Sequence, residues 1–369
     1  LHAQIAANGP IPFHDFMAAA LYDQEDGYYG SGRAAIGRGG DFFTNVSVGP
    51  LFGHLLARQF AEMWARLDRP SEFTIVEQGA HRGQFAGDVL EWLRTMEPDC
   101  FSAAHYRIVE PIPALRTVQQ TALAGRISWH SSLHELPTFS GVHFSNELLD
   151  ALPVHLVTWT GSEWLERHVS VEGERFVFVD APLTSAELQE HLKTIPPVPD
   201  GYVTEVNLEA LAWIDALATR LARGWVLAID YGFSREEFYA PERRAGALRA
   251  YSAHRLETDV LARPGELDLT THVEFTSLVE RAAQAGLGLA GWTDQHHFMV
   301  GLGQLHFRDD AVPEMAELRA YKTLMHPTMM GTSFQALCFA KKVQAIAPLA
   351  GFKFARPVSS ATGSPPAAD

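Results

Sequence analysis

Cysteine is nearly absent. The 369 residues hold two, Cys100 and Cys338. They build neither a disulfide framework nor a metal spacing, and they point to a reducing compartment. The expected location is the cytoplasm, or the mitochondrial matrix if a targeting peptide has been trimmed before Leu1. Positive charge is scarce too: 29 basic residues stand against 44 acidic ones, a formal net charge of -15. That balance argues against nucleic acid as a partner and suits a cationic ligand or a basic protein segment. No apolar run reaches the length of a membrane span, so no membrane partner is expected. There is no Gly-x-Ser-x-Gly elbow of a hydrolase and no phosphate loop ending in Gly-Lys-Ser/Thr. His134-Glu135 lacks the second histidine of a zinc helix, and none of the 17 histidines has metal spacing. No metal is expected.

What is present is a strand, a glycine turn and a helix. Residues 73–76 are an apolar, β-branched run, the mark of a buried parallel strand. It ends on Glu77. A turn with Gly79 and Gly83 follows, and then Phe85, Val89, Trp92 and Leu93 fall on one helical face. A dinucleotide turn needs Gly-x-Gly-x-x-Gly. Here Ala80, His81 and Arg82 separate two glycines, which fits S-adenosylmethionine (SAM) better, because SAM has no phosphate and carries a cationic amine. The alternative is an ordinary strand-to-helix turn.

Further strands are expected at 106–109, 126–129, 142–145 and 225–229, with two more at 287–292 and 333–340. Helices alternate with them, the pattern of an α/β sheet. Glu77, Glu110, Asn146, Glu147 and Asp230 all fall at predicted carboxyl ends, where such sheets bind ligands. Glu110 is placed to catch ribose hydroxyls. Asn146 and Asp150 have a second reading, as caps of the following turn. Before the sheet, two helices flank a glycine-rich loop at 28–44, either a connector or a lid. Residues 164–180 alternate around a Glu-Gly turn and read as a β-hairpin. Residues 233–271 look irregular, and 357–369 look disordered.

Short motifs recur nearly end to end: Gly27-Tyr28-Tyr29, Gly40-Asp41-Phe42 with Thr44, Val109-Glu110-Pro111, Asn146-Glu147 with Asp150-Ala151-Leu152-Pro153, Ile229-Asp230-Tyr231-Gly232, Tyr251 with His254, and Asp268 with His272. Together they resemble the MidA-like family of SAM-dependent methyltransferases, which includes a mitochondrial complex I assembly factor that methylates protein arginine. The resemblance implies a class I, Rossmann-like α/β fold with a mostly parallel seven-stranded sheet and an antiparallel last strand. It adds an N-terminal helical cap (1–70) and a hairpin insertion after strand four (154–205). The sheet occupies 71–153 and 206–345, with a substrate-side insertion at 233–272 and a tail at 346–369. SAM, the implied cofactor, would meet Glu77, Gly79, Ala80, His81, Gly83, Glu110, Pro111, Ser132, Leu133 and Asn146. Asn146, Glu147 and Asp150 would be catalytic. Tyr28, Tyr29, Asp41, Phe42, Thr44, Asp230, Tyr231 and His272 would form the substrate side and lid.

Two departures fall where the cofactor would lie. His81 replaces a glycine of the family turn, which predicts crowding or a strained positive φ. Asn45 to Ser47 replace a Ser-Pro-Glu stretch, so a carboxylate is missing. The leading expectation is methyl transfer to a protein arginine. A small-molecule O- or N-methyltransferase of the same fold and a non-catalytic assembly or binding factor are the alternatives. A homodimer is one quaternary state open to the chain.

Overall fold

The computed structural model describes residues 1–31, 44–123, 125, 127–252, 255–307, 313–326, 330–344 and 347–356. Its main sheet contains β1 (Phe73–Gln78), β2 (Ala104–Val109), β3 (Ile127–His130), β4 (Phe139–Asn146), β5 (Leu221–Phe233), β6 (Gly288–Asp294) and β7 (Phe334–Lys341). The spatial order is β6-β7-β5-β4-β1-β2-β3. β7 runs antiparallel to β5 and β6, while β1 to β5 pair in parallel. This is the expected class I methyltransferase arrangement. A two-residue strand, Val273–Glu274, pairs with the end of β5 and makes an eighth member.

Helices cover both faces because parallel strands need crossovers and bury both sides. They include α1 (Phe13–Tyr22), α2 (Leu51–Arg66), α3 (Gln84–Met96), α4 (Leu208–Arg220), α5 (Phe275–Gln284) and α6 (Gln295–His306). On one face α2 and α3 pack around Phe144, whose ring stacks on Phe85 at 4.6 Å. On the other, Ile214 and Leu217 of α4 and Leu278 of α5 pack with Val226 and Leu337. The stripe on α3 is buried as its spacing predicts: Phe85, Val89, Trp92 and Leu93 all face inward. Cutting Phe144 to alanine would cost about 3–5 kcal/mol in such a core.

The N-terminal helices do not act as one cap. Ile11–Pro12 pairs with Trp164–Glu172, so the start of the chain joins the insertion. There it completes a five-stranded sheet with His155–Trp159, Arg175–Ala181 and Tyr202–Val206. The apolar stripe of α1 (Phe13, Phe16, Met17, Leu21) is buried against Leu156 and Val169 of that sheet. α2 instead covers the main sheet. The hairpin is therefore part of a layer, because two strands alone could not bury α1. The stretch at 233–272 is also more ordered than its sequence suggests. It holds three short strands, Arg249–Ser252, Arg255–Glu257 and Asp268–Thr270, paired antiparallel. They bring Tyr251 and Asp268 to the carboxyl edge of the main sheet. Asp41, Phe42, His254 and the tail 357–369 lie outside the described residues.

Candidate active site

A cavity of about 1630 Å³ opens at the carboxyl ends of β1, β2, β4 and β5. Residues of α1 and of the three-stranded sheet close its far side.

The β1 side is built by the glycine turn. Gly79 and Gly83 have φ of +81°, and His81 has φ of +46°. A non-glycine residue there carries about 1–2 kcal/mol of backbone strain. The strain predicted for His81 is present. Gln119 Nε2 holds the turn by donating to the His81 carbonyl at 2.8 Å and to Glu110 Oε2 at 2.9 Å. The Trp129 indole N–H fixes Gln119 in turn at 3.0 Å. The Ile112 N–H donates to Glu110 Oε1 at 3.0 Å. Burial raises the Glu110 carboxyl, and these donors pull the other way. Burial, helped by the Arg82 guanidinium, pushes the His81 imidazole down to about 4. The ring is neutral at pH 7, and its Nε2 is buried with no partner among the described residues. Glu77 is buried and accepts from the Tyr106 hydroxyl at 2.7 Å. Burial raises its carboxyl to about 7.

The β4–β5 side is acidic. Glu147 has φ of +52°, a second strained non-glycine residue at the cavity. Its Oε1 accepts from Asn146 Nδ2 at 2.8 Å and from the Asn45 N–H at 3.3 Å. The Tyr231 hydroxyl lies 3.5 Å from its Oε2. Burial lifts the Glu147 carboxyl to about 8, and the charge of Asp230 adds to the rise. Asp150 is raised well above the usual range by burial, then by Asp230, Glu147 and Asp268. These groups titrate as a set, because like charges this close cannot all ionise freely.

Most of the expected residues meet on this one wall. Glu77, Gly79, Ala80, His81, Glu110, Pro111, Asn146, Glu147 and Asp150 line it, with Tyr29, Thr44, Tyr231 and His272. Others stand back. Gly83 starts α3, and a side chain there would meet Leu123 at 2.6 Å. Leu133 packs in the core beneath β2, and Ser132 precedes the short turn beside it without reaching the wall. Tyr28 is buried with α1. Asp230, expected at the substrate, is a structural cap. Its Oδ2 accepts from the Leu148 and Leu149 N–H groups at 3.1 and 2.8 Å, and its Oδ1 from the Tyr231 N–H at 2.8 Å. The turn after β4 is thus capped from β5, not by Asn146 or Asp150.

Sequence reasoning missed Asn45 and Gln295. Asn45 is fully buried. Its Nδ2 donates to Asn146 Oδ1 at 2.9 Å and to Gln295 Oε1 at 3.0 Å. Gln295 Nε2 returns a bond to Asn45 Oδ1 at 2.8 Å and donates to the Leu324 carbonyl at 3.1 Å. The site where a carboxylate seemed lost holds an amide pair that fixes Asn146 and Glu147. No local spacing signals it, because its members lie 101 and 250 residues apart.

The donor set fits SAM. Bare backbone at Gly79 meets the cavity with no atom closer than 3.5 Å to a would-be Cβ, and Glu110 faces the same space from the next strand. A family model described as "Putative S-adenosyl-L-methionine-dependent methyltransferase" matches residues 55–293. A bacterial protein from Burkholderia thailandensis, crystallised with S-adenosyl-homocysteine bound, is 31% identical. It superposes with a TM-score of 0.84 over 96% of this chain and 93% of its own. The mitochondrial protein arginine methyltransferase NDUFAF7 homolog of Drosophila melanogaster is 28% identical, over 91% of this chain and 83% of that protein. Human mitochondrial protein arginine methyltransferase NDUFAF7 is 28% identical, over 90% and 80%. Both names are mitochondrial, so the expected cytoplasmic location draws no support from them. A turn and a carboxylate suited to SAM, on the fold that the bacterial protein shares, agree with the match across most of the sheet: this chain belongs to that family and is a SAM-dependent methyltransferase.

Proposed function

We propose that the protein methylates an arginine side chain of another protein. The observation that carries this reading is the acidic wall of Glu147, Asp150 and Asp268 in the same cavity as the glycine turn. Such a wall suits a guanidinium, which carboxylates orient through paired N–H bonds. The names of the curated relatives agree with it.

The roles we assign draw on the geometry. The turn at 79–81 and Glu110 would hold the cofactor, with Glu110 accepting from ribose hydroxyls. SAM, when bound, supplies a methyl group on a sulfonium. Holding the acceptor nitrogen in line is the main task left to the protein, worth about 7–11 kcal/mol through proximity. The nitrogen that gains the methyl group must lose a proton. Glu147 is the group to take it, since its carboxyl is poised near 8 and general bases work best near the operating pH. A bound cation favours its ionised form. Asn45 and Asn146 fix its Oε1, which leaves Oε2 beside Tyr231 for the proton.

The test is radiolabel transfer from SAM into a lysate, followed by hydrolysis and amino-acid analysis of the protein fraction. Label in methylated arginine is the expected result. Label confined to small molecules, or to another amino acid, would reject the arginine reading and leave methyl transfer intact.

A further inference from the structure

Among the buried polar atoms on the cavity wall that have no hydrogen-bond partner among the described residues, beside ring nitrogens of His81 and His272, are two oxygens, Asp150 Oδ1 and Thr271 Oγ1. Asp150 is 6% exposed and Thr271 is 2% exposed. The Thr271 N–H donates to the Asp150 carbonyl at 2.9 Å, so the two residues are held together. Buried acceptors are seldom left empty, and each one that is asks for an explanation. Asp230 has both oxygens taken by backbone N–H groups and does not share this condition.

The surroundings say what is missing. Asp268 faces the same space, and the Tyr29 hydroxyl holds its Oδ1 at 2.8 Å. The rings of Tyr29 and Tyr22 stack at 5.8 Å beside it. Arg249, a cation on this wall, donates to the Leu248 carbonyl, and no ion pair to Asp150 is formed among the described residues. Acidic groups and aromatic rings thus stand around two acceptors that have no partner among the described residues. Carboxylates and ring faces both attract a cation, and a planar fork of N–H donors matches two acceptors at once.

We propose that Asp150 and Thr271, with Asp268 held by Tyr29, form the seat that selects a guanidinium over its neutral isostere. This rests on the arginine reading and assigns its specificity to these residues. Asp150 Oδ1 and Thr271 Oγ1 each accept one N–H of the fork. Glu147 remains free for the proton. Citrulline, equal in shape but uncharged, should be refused.

The experiment uses the full chain saturated with S-adenosyl-homocysteine. Nα-acetyl-arginine amide and its citrulline counterpart are titrated by calorimetry. The arginine compound should bind at millimolar concentration and the citrulline compound should not. Asp150→Asn and Thr271→Val should each weaken binding about tenfold or more. Thr271→Ser should restore it. Affinity for S-adenosyl-homocysteine, unchanged throughout, reports that the variants fold. Equal binding of both compounds, no binding of the arginine compound, or wild-type binding by Asp150→Asn would each overturn the seat. The two readings fail separately. If label enters protein arginine while Asp150→Asn and Thr271→Val leave KM untouched, the seat is wrong and the arginine reading stands. If label enters another acceptor, both fall.

Discussion

His81 holds a left-handed backbone in a turn where glycine would be at ease. Replacing it tests whether the φ of +46° is a cost. The informative comparison is His81→Gly against His81→Ala, because both remove the ring and only one removes the strain. A left-handed φ costs a non-glycine residue about 1–2 kcal/mol. Glycine loses about 0.4–1 kcal/mol of that advantage through its looser unfolded chain. The glycine variant should therefore be the more stable by about 0.5–1 kcal/mol. The Gln119 bond survives in both, since it reaches the carbonyl of residue 81. The ring adds a pH term. Its folded pKa is about 4, against about 6.5 in an unfolded chain. The unfolded imidazole therefore takes up a proton first. The stability tied to the neutral ring is whole above pH 6.5 and shrinks as pH falls from there toward 4. Both variants should lose that part of the acid slope, while His143, His191 and His272 keep theirs, being likewise pushed down by burial. Urea unfolding at pH 7.5 and pH 5 measures both effects. A glycine variant less stable than the alanine variant at pH 7.5 would refute the strain argument. Affinity for S-adenosyl-homocysteine should not fall in His81→Gly; a tenfold loss would make the imidazole a ligand instead.

Glu147 should govern the pH profile: with its carboxyl raised to about 8 in the free site, kcat/KM should climb between pH 6 and about 8, and Glu147→Gln should abolish the climb along with most of the activity. A flat profile in the wild type would remove Glu147 as the base. Asn45→Ala should lower kcat by about 10–100-fold by freeing Asn146 and Glu147, with affinity for S-adenosyl-homocysteine within about twofold, and unchanged kinetics would show that the amide pair only fills space. Glu110→Ala should weaken S-adenosyl-homocysteine binding by at least tenfold, as expected for loss of charge-assisted bonds of about 1.5–3 kcal/mol; calorimetry showing wild-type affinity would clear Glu110 of a cofactor role.

Much of the main sheet was legible because its signals are local. β1 is a β-branched run closed by an acid, and α3 is a stripe of four large side chains. Both lie within short windows where a period of two or 3.6 can be read. The acidic ends of β1, β2, β4 and β5 were placed on one edge by topology alone, since parallel strands present all their carboxyl ends together. The fate of each side chain was not legible. Asp230, near the end of β5, and Asp150, in the turn after β4, are both acids on the carboxyl side of the sheet. One became a cap with both oxygens bonded, and the other lines the cavity with a buried oxygen that has no partner among the described residues. That difference depends on which backbone N–H groups the neighbouring strand brings near.

The sequence by itself determined the succession of strands and helices and the cofactor turn, because strand hydrophobicity and glycine spacing are written along the chain, and its motif order carried the resemblance to the methyltransferase class. It also exposed His81 as an anomaly. Only the tertiary structure decided how that anomaly is carried, through a Gln119 bond from 38 residues away. It alone joined Ile11–Pro12 to the insertion and split the N-terminal helices between two layers. It alone made Asn45, Asn146 and Gln295 one network. The physical reason is the same in each case: a hydrogen bond or a buried face needs a partner at contact distance, and the folded path of the chain sets which residue that is.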